Sequence, residues 1–425
     1  MSGYGANSSA VPTSKLIRTV AITIRKRGRG DNAMTGLHGE QIHKVRRLTL
    51  AAPICLFLAL FAGQIASAQT FTTLYSFSGV NGDQPYAGVI RDAKGNLFGT
   101  TYRGGSYGTG ILFKLSETGN EKVLHTFSGN PDGQNPEAPV IRDAAGNLYG
   151  TTEVGGSKGF GMVFVVKADG TETDLHDFGG GATDGSYPAG LIRDAAGNLY
   201  GMTSNGGSSN LGTIYELDKA GTETVLYSFT GGDDGGEPYA GLVRDAAGNM
   251  YGTTSAFGAN GKGTVFKLSA RGQLSTIYAF TGGVDGGTPV ANVTIDSKGN
   301  LYSTTTIGGT TGQGTVFKIT GKTRKEKVLY SFTGDTDGAM PTGAVVRDSK
   351  GQLYGTATKG GANQVGTVFL LAPTGQLTVL HTFTGGTDGA TPLYMDLVRD
   401  RSGKLYGTTS AGGTSGVGTV FKLVP

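Results

Sequence analysis

The stretch Ala240–Ser255 reads A-G-L-V-R-D-A-A-G-N-M-Y-G-T-T-S, and close copies of it occur seven times. Asn96-Leu97, Asn147-Leu148, Asn198-Leu199, Asn249-Met250, Asn300-Leu301, Gln352-Leu353 and Lys404-Leu405 are equivalent, at spacings of 51, 51, 51, 51, 52 and 52. A second anchor keeps step at Phe77, Phe127, Phe178, Phe229, Phe280, Phe332 and Phe383. A period of this size means an array in which each unit buries its apolar face against its neighbours.

Each unit divides into four short apolar segments. In the fourth copy they are Ala240–Arg244, Met250–Ser255, Gly263–Leu268 and Leu274–Phe280. Asp245-Ala-Ala-Gly248 joins the first two. Asp can bond its own backbone there, and Gly accepts positive φ. Such D-x-x-G turns occur in all seven copies, from Asp92/Gly95 to Asp400/Gly403. Strands of five to seven residues, β-branched and aromatic and bounded by Gly, Asn and Asp, carry the hairpin signature. No segment holds a helical period over ten residues. Four antiparallel strands in about 50 residues match one propeller blade. With no Trp in the chain, this is not a WD-type array.

The expected fold is therefore all-β: a seven-bladed β-propeller of four-stranded antiparallel blades. The chain ends make it close. A fourth-type strand, Phe71–Phe77, precedes any first strand, and the chain stops on a third-type strand, Gly418–Leu423. The strand count balances only if the N-terminal strand completes the last blade, removing an exposed edge. Phe113, Phe164, Tyr215, Phe266, Phe317, Phe369 and Phe421 are expected to pack between blades, as are Phe98 and Tyr149, Tyr200, Tyr251, Tyr302, Tyr354 and Tyr406. Small residues such as Ala87-Gly88, Ala189-Gly190 and Ala240-Gly241 let backbones crowd near the axis.

Residues 1–33 carry no repeat and read as a disordered extension upstream of the native start. Met34 opens a better beginning: Lys44, Arg46 and Arg47, then apolar Leu48–Ala62, then Ala66-Ser67-Ala68. This is the layout of a signal peptide over residues 34–68. The apolar run is shorter than the ~20 residues a spanning helix needs, so no membrane span is expected after cleavage. The expected mature domain is residues 69–425. Nine of the 36 Lys and Arg and two of the 32 acids lie in residues 1–68, which leaves 27 − 30 = −3. The basic balance belongs to the leader, and nucleic acid is not an expected partner. The only cysteine, Cys55, also precedes Gln69, so disulfides and thiolate metal sites are excluded from the mature domain.

The units L-Y-S-F-T-G…D-G…P-x-A-G-L-V-R-D-A-A-G-N-L-Y-G-T-T-S-x-G-G…G-T-V-F-K-L resemble the GloVer tandem repeat of bacterial exported proteins, over about residues 70–425. The resemblance implies export and this fold, and no chemistry. Family members often carry a C-terminal anchor. This chain stops at Pro425, so a periplasmic or released form is expected.

Residues that could carry chemistry are few. His125, His176 and His381 alternate with Tyr75, Tyr227, Tyr278 and Tyr330 at one register of the outer strand, which reads as packing. No H-E-x-x-H, G-x-S-x-G, Walker or C-x-x-C motif occurs. The aspartates of the Asp-Gly pairs (Asp132, Asp184, Asp234, Asp285, Asp337, Asp388) read as turn residues rather than calcium ligands, being too far apart to share an ion. Arg91, Arg142, Arg193, Arg244, Arg347 and Arg399 precede the turn Asp, with Ile295 in the fifth copy. Local ion pairing is favoured over an axial anion site. No metal or other cofactor is expected.

The loops between second and third strands vary most, and such variation on one face of a fixed scaffold can carry specificity. They supply the candidate ligand-binding residues Arg103, Tyr107, Glu153, Lys158, Phe160, Phe257, Lys262 and Lys359. The favoured reading is a monomeric exported binding or scaffold module for a glycan, peptide or envelope protein. The alternative is a lyase or hydrolase of an extracellular polymer. An enzyme needs converging groups that break the repeat, and no such cluster stands out in the linear sequence. Two or more unrepeated carboxylates meeting at the channel mouth would raise the enzymatic reading.

Overall fold

The structure, a computed structural model, describes residues 69–425; the expected leader and upstream extension lie outside the described residues. Seven four-stranded antiparallel sheets follow one another. Blades 1 to 6 comprise residues 90–126, 141–177, 185–228, 243–279, 294–331 and 346–382. Blade 7 takes Val398–Arg399, Leu405–Thr409 and Thr419–Val424 from the C-terminus and Thr70–Ser76 from the N-terminus. The two end strands pair from Thr70↔Val424 to Ser76↔Thr419, and Phe77 N donates to Gly418 O at 3.0 Å. The circle closes as the strand count requires.

One aromatic pair seals each joint between blades. Phe77–Phe113, Phe127–Phe164, Phe178–Tyr215, Phe229–Phe266, Phe280–Phe317, Phe332–Phe369 and Phe383–Phe421 meet edge to face, with centroids 5.0–5.5 Å apart. All of these rings are fully buried. The geometry suits the ring quadrupoles and adds to the ~1.5–3 kcal/mol from burying each ring. The pair at the closing joint, Phe77–Phe113, is as well formed as the others.

Second-strand rings are covered differently. The guanidinium of Arg142 lies 5.7 Å from the centroid of Phe98, Arg193 5.5 Å from Tyr149, Arg244 5.4 Å from Tyr200 and Arg399 5.4 Å from Tyr354. Each arginine thus stacks on the preceding blade. Arg142 and Arg244 also act on Asp92 and Asp194 of that blade. The repeated arginines are interblade staples that stack on the blade before; Arg91 stacks on Tyr406 of blade 7 and also pairs with Glu117 of its own blade. In the fifth copy, where Ile295 stands, Arg324 supplies the positive charge felt by Tyr251. A second set of ties comes from the buried threonines. Thr151 Oγ1 donates to Ala189 O at 2.9 Å, Thr304 to Gly343 O at 3.0 Å and Thr408 to Ala87 O at 2.9 Å, each reaching the next blade.

The innermost strand is shorter than the sequence suggests. In six blades only two residues pair, as in Val243–Arg244 against Met250–Tyr251. The residue before the repeated proline has positive φ in all seven copies, for example Glu237 at 55°. Proline has no N–H to give, so the ladder stops there. Blade 3 is the exception, with a strand over Gly185–Arg193. Its copy lacks one residue, Pro188-Ala189-Gly190-Leu191 against Pro238-Tyr239-Ala240-Gly241-Leu242, and pairing resumes across a shift between Pro188 and Leu191.

The glycine opening each third strand has no substitute. Gly263 has φ +86°, and a Cβ there would lie 2.2 Å from Thr254 O. Gly263→Ala is expected to destabilise the protein by about 3 kcal/mol, through backbone strain plus the clash. A shift in the denaturant midpoint at unchanged slope checks this; an unchanged midpoint would show that the loop relaxes at no cost.

Candidate functional site

The loops between second and third strands and those from fourth to first strand share one face. Bridges such as Asp83↔Arg103, Gln134↔Val154 and Ala339↔Lys359 pin them together. On that face the axial channel opens as a cleft of about 700 Å³, counted to its open mouth. Its walls are the proline-led tracts of the first strands, among them Ala138, Ala189, Gly190, Ala240, Gly241 and Ala291. Against this small-residue lining stand side chains that break the repeat: Glu137, Glu153, Tyr187, Tyr239, Asn292, Tyr394 and Asp396.

A single extra residue in the seventh copy creates the floor. Pro392-Leu-Tyr-Met-Asp-Leu397 stands where the sixth copy has Pro341-Thr-Gly-Ala-Val345. Met395 is fully buried, and Asp396 is carried to the axis beside blades 1, 5 and 6. A Cβ on Gly88 would lie 2.3 Å from Asp396 O, and one on Gly343 only 1.9 Å from Met395 O, so glycine is required at both. Asn292 Nδ2 donates to Asp396 Oδ2 at 2.6 Å and Ala344 N to Oδ1 at 2.7 Å. Asn292 Oδ1 in turn accepts from Gly241 N. Burial nevertheless pushes the Asp396 carboxyl above its ordinary value.

Glu137 occupies the place held by Tyr86 and Tyr239 in other copies. Burial, then the Glu153 charge, push it up to about 7. Glu153 accepts from Tyr102 OH at 2.8 Å. Tyr102 packs on Tyr86 with ring centroids 4.8 Å apart, and Arg103 lies 5.8 Å from the Tyr102 ring. Tyr239 and Tyr394 are the exposed aromatics of the mouth. The cleft thus combines aromatic faces with carboxylates, a carboxamide and almost no cation. The unrepeated carboxylates that the linear sequence did not reveal do converge, at the channel mouth.

Of the eight loop residues expected to bind, only Glu153 lines this cleft. Arg103 borders it through Tyr102, and Phe160 through an edge contact with Tyr187 at 6.4 Å. Tyr107 is 65% exposed. Lys158 donates to Asp177 O at 3.1 Å. Phe257 is partly buried beside Gly231 and Gly236, and Lys262 and Lys359 are exposed. The structure does not gather these five. Glu137, Asn292 and Asp396, which do line the cleft, belong to the first-strand tracts and not to the variable loops. Their signal was departure from the P-x-A-G pattern within the first strand.

The Asp-Gly aspartates are hubs of their own loops. Asp234 accepts from Thr230 N at 2.7 Å, Thr230 Oγ1 at 2.6 Å and Tyr227 OH at 3.0 Å. Asp132 accepts from Ser128 N at 2.8 Å and pairs with His125 Nε2 at 2.9 Å. The His/Tyr register is thus a ligand to this carboxylate as well as a packing position.

These carboxyls set an acid-side stability optimum. Glu137 and Glu326 are pushed up to about 7 by burial, and Glu172 and Glu223 are also raised. They hold protons more tightly folded than unfolded, so the stability they add at low pH is lost as pH rises from about 4.5 towards 7. Burial opposes the turn aspartates Asp92, Asp245 and Asp296, yet hydrogen-bond donors hold them low. Their contribution is present above about 3.8 and lost as pH falls below it. The melting temperature, measured with chelator, is expected to be a few degrees higher at pH 5.5 than at pH 8. A flat or rising profile over that interval would contradict the burial of these glutamates.

A family model for the Gloeobacter/Verrucomicrobia repeat matches residues 60–257 and 239–425. The chain belongs to that repeat family. No curated protein sequence matches it. Among solved structures, the extracellular domain of the hybrid two-component system BT3049 of B. thetaiotaomicron is similar at 12% identity and TM-score 0.54, covering 84% of this chain and 41% of that one. The extracellular domain of the one-component system BT4673 of the same organism gives 10% and 0.53, over 82% and 39%. PorZ, a surface component of the type-IX secretion system of Porphyromonas gingivalis, gives 16% and 0.51, over 81% and 47%. This Gloeobacter/Verrucomicrobia repeat protein thus spans less than half of each, and at these identities the likeness is one of fold. Among the described residues, no helix is long and apolar enough to cross a membrane.

Proposed function

We propose that this repeat protein is an exported, monomeric binding module whose axial cleft takes a saccharide. The observation that carries this is the convergence of Glu137, Glu153, Asn292, Asp396, Tyr239 and Tyr394, from four blades, on one opening. Sugar hydroxyls donate to carboxylates and carboxamides, while sugar C–H faces stack on tyrosine rings. Phe160 and Arg103 would extend contact outward from the cleft, and Tyr107, Lys158, Phe257, Lys262 and Lys359 would meet a longer polymer or a protein. The signal-like leader supports export to the periplasm or beyond, and the extracellular solved neighbours fit it. A glycan and polysaccharide binding screen tests the reading. Saturable binding of an oligosaccharide is expected, and absence of binding across neutral and acidic sugars would sink it.

One observation favours a second reading. A carboxyl pushed up to about 7 by burial and a neighbouring carboxylate, as Glu137 is, is poised for general acid–base work near neutral pH. A lyase or hydrolase would release new reducing ends or unsaturated products from a polymer, and Glu137→Gln would abolish that release. Binding without turnover would leave only the first reading.

A further inference from the structure

The outer rim carries a second feature, away from the channel, at the joint between blades 2 and 3. His176 Nε2 lies 3.7 Å from Asp184 Oδ1 and 3.9 Å from Glu223 Oε2, too far for hydrogen bonds. These three ligand atoms all fall within 4.8 Å of one another. The Glu223 side chain is nine-tenths buried, and the other two are only 16% exposed. Among the described residues, neither His176 Nε2 nor Glu223 Oε1 has a hydrogen-bond partner, although both atoms are shielded from solvent. Buried polar atoms are rarely left so, and each omission calls for an explanation.

The repeat supplies its own controls. At the joint after blade 1, His125 closes on Asp132 at 2.9 Å. At the joint after blade 6, His381 closes on Asp388 at 3.0 Å and Phe71 stacks on the imidazole. The unpartnered Oε1 recurs at Glu121, Glu172 and Glu326, which hold the register of Glu223, so what sets the second copy apart is its open imidazole. Its loop, Phe178-Gly-Gly-Gly-Ala-Thr-Asp184, is one residue longer than Phe229-Thr-Gly-Gly-Asp-Asp234 and has Gly179 where Thr230 stands. No hydroxyl holds the carboxylate. Asp184 turns to Gly179 N and Gly185 N, each at 2.6 Å, and stands off from the imidazole.

We propose that His176, Asp184 and Glu223 form a binding site for a zinc-class divalent cation that clamps blade 2 to blade 3. One imidazole and two carboxylates make a nitrogen–oxygen donor set suited to zinc, manganese or cobalt(II). Metal–ligand bonds of about 2.0–2.2 Å in a tetrahedron place ligand atoms about 3.3–3.6 Å apart. The observed separations need only a small inward movement. A fourth position is left for water. Lys158 is the nearby cation, and its amine is held by Asp177 O at 3.1 Å.

Titrating zinc chloride alone into the chelator-treated, untagged protein tests the assignment, with cobalt(II) absorption as a second readout. One equivalent is expected to bind and to raise the melting temperature. Glu223→Gln keeps the shape, removes the charge, and is expected to weaken binding by at least about tenfold. His176→Gln is expected to do the same, while His125→Gln leaves binding unchanged. Absence of a stoichiometric site, or equal zinc affinity in Glu223→Gln and the native protein, would overturn the proposal. So would a Glu223→Gln variant that is stabilised in chelator while native stability ignores metal, because the pair would then share a proton.

Discussion

Removing residues 69–78 is expected to abolish the cooperative fold or lower the melting temperature by more than 15 °C. The segment supplies the outer strand of blade 7 over Thr70–Ser76 and the buried ring of Phe77. Losing that ring alone costs about 3–5 kcal/mol. Losing the strand also bares the edge of Thr419–Val424, a template for aggregation. Together these approach the whole stability of a typical domain, about 5–15 kcal/mol. Phe77→Ala should give an intermediate loss with the strand still in place. A truncated protein that melts like its parent and remains monomeric would show that the ring does not depend on its closure.

The second large effect is expected at the axis. Glu137→Gln combined with Tyr394→Ala should reduce saccharide affinity by at least about thirtyfold. One buried charge-assisted hydrogen bond is worth about 1.5–3 kcal/mol and an aromatic contact about 0.5–1.5 kcal/mol. Tyr394 is 37% exposed at the mouth, so its truncation should leave the fold intact. Asp396 is a poorer test residue, because Asn292 and Ala344 both donate to it and its loss would disturb the floor itself. Tyr107→Ala should alter affinity for a short saccharide little. The opposite ranking would move the site to the outer loops.

The scaffold was legible because it is written seven times. Asp245/Gly248 and its equivalents set the turns, Phe229 and Phe266 and their equivalents set the joints, and the unmatched strand Phe71–Phe77 demanded closure. What escaped depends on single residues. The one-residue deletion after Pro188 and the one-residue insertion before Asp396 leave the overall period almost unchanged, yet they decide what faces the axis. The arginine staples escaped because partner choice between blades depends on sheet twist, which a linear period does not carry. Glu137 and Asn292 were visible as departures from Tyr239 and Gly241. They lacked meaning until the ring brought six blades to one opening.

The most direct measurement is the position of a bound oligosaccharide in a crystal structure of the complex. Density is expected at the axis, with sugar hydroxyls on Glu137 and Asn292 and a ring face against Tyr239 or Tyr394. Density confined to the outer loops around Tyr107 and Lys262, with the channel mouth untouched, would contradict it.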